Sequence, residues 1–509
     1  MKSKEEKNFN SSLTFLAKSS VIVLLGMIIS KIISYFYRIV IARNFGPEVY
    51  GFFSIGLMVS GLFIAVAYMG LINGLIRYIS IYRGKNDKSS IRYVFKISSR
   101  FLIFTGIISF ILMFLTSEFI AVNIFHNTDL INYLRGFSFV VPLTIFMVFY
   151  LSIIIAYEKV KSYSFIHHFL LNFVKFGTLI LFIYLGMGIN SLIFSYLIGI
   201  FIAGSALYLV AKYSIKELFE KEAINKKRKK EIAKNLFSYS WPFLFSALIT
   251  SIFYWTDSFM IGFFGSPIEV GLYNVAIPLA LLLTIAPELF IIMFFPLVTK
   301  EYSQKNIITI KELTKQVGKW IFMLNLPILA LLIIFPEEFI NLLFGSQYIL
   351  AGNSLRILSI GLFFSSIFIL SSKLMEVIGK SKLILLDTLI IASFNLVLNL
   401  FLVPRYGISG AALSTTLSLI ILNSLFLFQA KHYISIVPLR RKMLRIFVSI
   451  TLPVIIVFLI SINISITSFY FILLSIFLIL LYLLLLFLTK ALDRNDLIII
   501  NRLKDKLNK

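Results

Sequence analysis

A chain of 509 residues that is 59% hydrophobic and only 14% charged, with 53 phenylalanines and a mean hydropathy of +0.95, cannot hide its apolar surface in water. Its 48 lysines and arginines against 23 acids give a net charge of +25, but the basic residues fall in short loops between long apolar runs, which points to a membrane surface and not to nucleic acid. No cysteine occurs, which excludes disulfides, thiolate metal sites and thiol catalysis.

The apolar runs are close to the ~20 residues that carry an α-helix across ~30 Å of hydrocarbon, and continuous runs argue for helices over a closed barrel. In chain order the expected spans are 18–42, 51–76, 98–121, 136–156, 163–185, 190–211, 237–263, 271–298, 319–342, 354–376, 383–404, 409–430, 445–463 and 469–489. The expected fold is therefore all-α and polytopic, with about fourteen transmembrane helices. The opening residues MKSKEEKNFN are polar and unlike a cleavable signal, so the first span is expected to act as an uncleaved one.

Alternate loops are basic: Arg83, Lys85, Lys88 and Arg92; Lys159 and Lys161; the run KKRKK at 226–230; Lys300, Lys305 and Lys311; Lys380 and Lys382; Arg440, Arg441 and Lys442. The intervening loops hold little beyond Arg43, Arg135 and Arg405. This positive-inside pattern predicts a multi-pass protein of the cytoplasmic membrane with both termini in the cytoplasm. The KKRKK run is expected either to lie at anionic headgroups or to be a plain solvated loop.

The chain carries an internal repeat. Phe45-Gly46 recurs as Phe264-Gly265, Lys161-Ser162 as Lys380-Ser381, and Gly188 as Gly407, each pair 219 positions apart. Pro47-Glu48-Val49-Tyr50-Gly51 resembles Pro267-Ile268-Glu269-Val270-Gly271 after one inserted residue. A shared spacing at matching ends of matching spans predicts two parallel six-span lobes. The expected organisation is a first lobe at 1–212, a basic cytoplasmic linker at 213–235, a second lobe at 236–431, and a two-helix extension with a cytoplasmic tail at 432–509.

The stretches ARNFGPEVYGFFS, TDSFMIGFFGSPIEVGLYNVA, FGSQYILAGNSLRIL and RYGISGAALSTTLS resemble the polysaccharide-transport branch of the multidrug/oligosaccharidyl-lipid/polysaccharide flippase superfamily, over essentially the whole chain. That branch includes O-antigen flippases, teichoic-acid exporters and archaeal relatives. The resemblance implies two six-helix lobes around a central cavity that opens alternately to either side, carrying isoprenoid-linked oligosaccharides.

An ionisable side chain within a span is costly and is a functional candidate by default. The first six spans contain Lys31, Arg38 and Lys175, with Arg77 at an inner end, and no acid away from a span terminus. Lys31 and Arg38 share a helix face with Tyr35 between them. Two cations and a hydroxyl on one stripe suit a phosphate or diphosphate, which guanidinium grips bidentately and ammonium attracts as a point charge. The substrate-binding candidates are thus Lys31, Tyr35, Arg38, Arg77 and Lys175; snorkelling to the interface is the plainer alternative for Arg38 and Arg77.

The gate or coupling candidates are Arg38, Asp257, Glu288, His168 and Asp387. Histidine titrates near neutrality, although ordinary helix packing is the competing reading for His167 and His168. The repeat spacing sets Asp257 at the position equivalent to Arg38, which suggests a charge pair. Asn395 and Asn399 either meet sugar hydroxyls or join helices. Pro242, Pro278, Pro287 and Pro327 are candidate hinges or static kinks.

The function expected is a flippase or exporter moving oligosaccharide linked to polyprenyl phosphate or diphosphate; a multidrug-type, ion-coupled small-molecule exporter of the same superfamily is the alternative. The chain is not expected to be an enzyme, since outer loops are too short and too poor in acids for a glycosyltransferase or polymerase site, and no nucleotide-binding loop is present. No cofactor or metal is expected. The expected partners are the anionic lipid-linked oligosaccharide, membrane lipids and a coupling sodium ion or proton, with no nucleic acid, and the chain is expected to act as a monomer.

Overall fold

The computed structural model describes residues 2–220, 224–464, 466–492 and 496, with the backbone alone at 2–22, 24, 25 and 293. The described residues are helical apart from short turns, and none of them forms a strand. Among the described residues, twelve helices are long and apolar enough to cross a membrane. Two of these each contain two spans. The helix Lys2–Tyr68 breaks at Gly46 (φ 78°) and the helix Ser381–Ile434 breaks at Gly407 (φ 55°), backbone conformations that glycine adopts without a Cβ clash. Fourteen spans result, as the hydrophobic runs predict. The expected linker residues 221–223, and the expected tail apart from Asp496 beyond residue 492, lie outside the described residues.

The turns recur at the spacing seen in the sequence. Left-handed residues stand at Asn86 and Lys305 (φ 53° and 58°), at His126 and Gly345 (52° and 102°), and at Gly188 and Gly407 (56° and 55°). The two spans that follow Asn86 and Lys305 are capped alike. Asp87 accepts from the Ser90 amide at 3.0 Å and Asn306 from the Thr309 amide at 3.4 Å, each satisfying a donor at the start of its helix.

The chain divides into two compact units, Met1–Gly271 and Leu272–Lys509. In the first, span 7 (Lys226–Phe264) lies along the first three spans, with Gly70 and Gly74 pressed against the Ser240 carbonyl and hydroxyl, and the Phe101 and Phe237 rings 4.9 Å apart. Small residues at the crossing let the backbones approach, since lipid gives apolar side chains little reason to prefer each other. Span 5 starts on a π-helical turn, Ser164–Leu170, and span 8 is split by a tight 3₁₀ turn, Leu281–Thr284, flanked by Pro278 and Pro287.

In the second unit, span 10 sits on span 12 through Gly361, whose missing side chain admits Thr416, and Thr416 donates to the Ile357 carbonyl at 2.8 Å. Asn395 is buried and donates to Thr415 at 3.3 Å, joining spans 11 and 12, while Asn399 donates to the Asn395 carbonyl at 3.0 Å within span 11. The extension spans Lys442–Asn463 and Ser468–Leu488 pack on span 9 (Ile307–Ile334), where Tyr482 donates to the Met323 carbonyl at 2.9 Å.

Candidate functional site

The break at Gly46 folds span 2 back along span 1, and Pro47, which has no amide hydrogen to place, opens the returning helix. This return brings Tyr50, fully buried, to Arg38, whose guanidinium donates to the Tyr50 hydroxyl at 3.3 Å. Next to Arg38, the Tyr37 hydroxyl is 3.2 Å from Ser195 Oγ on span 6. Asp257, the repeat-equivalent of Arg38, lies in the same unit at 9% exposure and is engaged with a partner.

Lys175 enters this cluster from span 5. Its ammonium sits 3.6 Å from the centre of the Tyr196 ring, and a Cβ on Gly199 would stand 2.3 Å from Lys175 Cγ. Tyr196 and Gly199 are three apart and share a face of span 6. Together they make a slot: the bare backbone at Gly199 takes the lysine stem, and the ring receives the charge. Arg38 lies within electrostatic reach of Lys175, Tyr196 and Tyr254. One cation is therefore held by a tyrosine hydroxyl and the other by a tyrosine ring, the ring contact being worth about 0.5–2 kcal/mol. An anion placed between them would meet both charges at once.

The other candidates on span 1, Lys31 and Tyr35, are half-buried and engaged with partners. Beside them Asn172 of span 5 donates to Ser30 at 2.9 Å, fixing the two helices together. Arg77 is exposed and its guanidinium lies 4.1 Å above the Tyr239 ring of span 7. His168 sits on the π-helical turn, with the Tyr163 and His167 rings 5.4 and 5.1 Å away. Its Nε2 and the Nδ1 of His167 are buried without a hydrogen-bond partner, and Gly26 of span 1 packs directly on Ser164 and His168. In the second unit Glu288 accepts from Thr284 at 3.1 Å, and buried Asp387 accepts from Gln429 at 2.6 Å. Among the described residues no group of three or more acids, histidines or cysteines is placed to hold a metal ion.

Sequence reasoning missed Tyr50, Tyr196 and Gly199, which hold the two cations. It also missed a buried ion pair. Lys319, fully buried on span 9, lies 2.5 Å from Asp496, which accepts further hydrogen bonds from Gln316 at 2.8 Å and Trp320 at 2.7 Å.

The profile of a family described as polysaccharide biosynthesis protein matches residues 16–301, and a second profile, described as MatE, matches residues 242–401. A putative O-antigen transporter of Shigella flexneri is 24% identical over 422 residues, covering 81% of this chain and 96% of that one. A probable low-salt glycan biosynthesis flippase of Haloferax volcanii is 25% identical over 204 residues, 40% of this chain and 43% of its own. Among solved structures, a lipid II flippase in an inward closed conformation superposes with a TM-score of 0.70 at 19% identity, covering 91% of this chain and 98% of that one.

Proposed function

The chain belongs to the polysaccharide biosynthesis protein family, and from that premise we propose that it moves oligosaccharide on a polyprenyl phosphate or diphosphate anchor across the cytoplasmic membrane by alternating access. That it is a polytopic membrane transporter of the flippase type, and not an enzyme, follows from its helices and relatives. The observation that carries the finer reading is the pair Arg38 and Lys175, brought together from spans 1 and 5 in a tyrosine cluster.

A diphosphate pays heavily for leaving water, and this cluster supplies what it needs: a guanidinium fork, an ammonium point charge and hydroxyls. Tyr50 and Tyr196 hold the two cations when no anion is bound, so no bare charge is left in the membrane. The isoprenoid tail requires an apolar track. In the second unit an apolar groove of 630 Å³, lined by residues including Leu282, Ile285, Leu289, Phe290 and Leu332, has the chemistry to accept one. His168, whose buried imidazole nitrogen lacks a partner, is the group this reading assigns to proton coupling, with Asp257, Glu288 and Asp387 as acids that can change partners during the cycle.

The MatE match to residues 242–401 favours a second reading, export of a small molecule. The two cations set against it any cationic drug, which they would repel.

Ligand-induced stabilisation tests the proposal. Undecaprenyl diphosphate should raise the unfolding temperature of the purified chain, and undecaprenol should not, because a ligand stabilises in proportion to its affinity for the folded state. Lys175→Ala should weaken binding roughly tenfold or more, the worth of one hydrogen bond to a charged group. Equal shifts with the alcohol and the diphosphate would overturn phosphate recognition.

A further inference from the structure

The turn between spans 1 and 2 and the turn between spans 7 and 8 carry the repeated segments Pro47–Gly51 and Pro267–Gly271. Within the first unit they meet face to face. A Cβ on Gly51 would stand 1.8 Å from the Pro267 carbonyl oxygen and 3.3 Å from the Gly271 amide nitrogen. A Cβ on Gly271 would stand 2.0 Å from the Pro47 carbonyl oxygen and 3.0 Å from the Gly51 amide nitrogen. The exchange is reciprocal, proline of one repeat against glycine of the other, so a local two-fold axis runs between the turns. Each glycine presents a Cα hydrogen to a carbonyl oxygen, a weak contact that recurs where backbones touch. The obstructing atoms are backbone, so no rotamer change makes room for a side chain.

Neighbouring residues hold both turns in shape. Ser266 and Glu269 cap span 8 reciprocally: the Ser266 amide donates to Glu269 at 3.0 Å and the Glu269 amide to Ser266 Oγ at 3.4 Å, so that Pro267 falls at the first helical position. Gly262 admits the Phe125 ring, which packs edge-on to Phe259 at 5.9 Å. The residue before Gly51 is Tyr50, the acceptor of Arg38.

We propose that these two turns form a backbone clasp closing the protein at the end away from the basic loops, and that Tyr50 ties the clasp to the phosphate site through Arg38. The transport reading gives the clasp its purpose, but its geometry stands without it. Contacts between parts that separate in every cycle should be close, weak one by one and free of long side chains to disentangle, which glycine against carbonyl provides. Because Tyr50 leads directly into Gly51, a phosphate that takes the Arg38 guanidinium from the Tyr50 hydroxyl removes one restraint on the closed turn. Ligand and clasp opening are then linked through a single hydrogen bond, each favouring the other.

The cysteine-free chain allows a direct test with one reporter, Ser54→Cys, a buried position one helical turn beyond Tyr50. In full-length protein held in nanodiscs, Gly51→Ala and Gly271→Ala should each raise the rate of maleimide labelling at least tenfold. The double substitution should label no faster than the faster single one, since one wedge opens the shared contact. Unchanged rates in folded single variants would overturn the clasp.

If the alanine variants do not accumulate, the unaltered glycines can be tested through Glu48→Cys with Ile268→Cys, both exposed. A short flexible bismaleimide should bridge them in high yield, and failure to bridge in folded protein would equally overturn the clasp. Undecaprenyl diphosphate should speed Ser54→Cys labelling in the parent and leave Tyr50→Phe unaffected. A ligand effect that survives in Tyr50→Phe would refute the tie, while no ligand effect on a chain whose glycine variants label fast would count against the proposed ligand and leave the clasp standing.

Discussion

Replacing Asp496 with alanine removes the acid around which a buried nest on span 9 is built. Lys319 Nζ lies 2.5 Å from one carboxylate oxygen, while the Gln316 amide and the Trp320 indole donate to the other at 2.8 and 2.7 Å. Lys319 is fully buried and Asp496 is 4% exposed, so solvent screens little of their attraction. Removing one partner of a buried ion pair costs ~3–5 kcal/mol, because a desolvated charge is left behind. Lys319→Met in the same chain removes that charge, and the double variant should recover about half the loss, the Gln316 and Trp320 donors remaining unsatisfied. Unfolding in mixed micelles, followed by tryptophan fluorescence, is a suitable assay because Trp320 stacks on Phe290 with ring centres 5.6 Å apart. A loss below ~1 kcal/mol for Asp496→Ala, or a double variant no more stable than the single one, would refute the reasoning.

Topology is open to the same thiol chemistry: Met187→Cys, in the turn between spans 5 and 6, should react with an impermeant maleimide in intact cells, and Asn225→Cys only after lysis. The opposite result would reverse the membrane orientation. Gly199→Ala sets a methyl group against the Lys175 stem and should lower transport with protein abundance near normal; in a Lys175→Ala background the same change should have little further effect, and an equal effect in both would show that Gly199 does not act through Lys175. Burial works to raise the Asp87 carboxyl, but Ser90, with help from Arg228, outweighs it and holds the group below the ordinary carboxylate range. A depressed folded-state value means that stability from the charged cap is fully present above about pH 5 and is lost as pH falls below about 4. The stability gap between the parent and Asp87→Ala should narrow over that range, and a gap that widens in acid would contradict the sign.

Hydropathy revealed all fourteen spans because each must satisfy its backbone internally over the same thickness of hydrocarbon. The repeat was legible where glycine marks it, as at Gly188 and Gly407. It was not legible at His126 and Gly345, or at Asn86 and Lys305, where the same left-handed turn is made by unlike residues. Arg38 and Lys175 stood out because charge within a span is rare. Their holders did not, since Tyr196 is one of 24 tyrosines and Gly199 one of 25 glycines, and neither shows its partner until spans 5 and 6 are packed. Lys319 was hidden for a different reason: the expected ninth span begins at that residue, so it read as an ordinary terminal charge. Its acid comes from a polar tail that carries other acids, Asp493 and Asp505, with nothing in the sequence to choose among them.

Translocation by the purified chain in proteoliposomes tests the central claim most directly. A fluorescent disaccharide on undecaprenyl diphosphate, symmetrically inserted, is exposed to an impermeant quencher, and the fraction lost reports movement between leaflets. The parent chain should carry nearly all of the probe to the quencher, and the combined Arg38→Gln and Lys175→Ala variant should leave about half protected, as in protein-free vesicles. Parent-like quenching by that variant, or equal transport of a neutral polyprenyl glycoside lacking phosphate, would contradict the account.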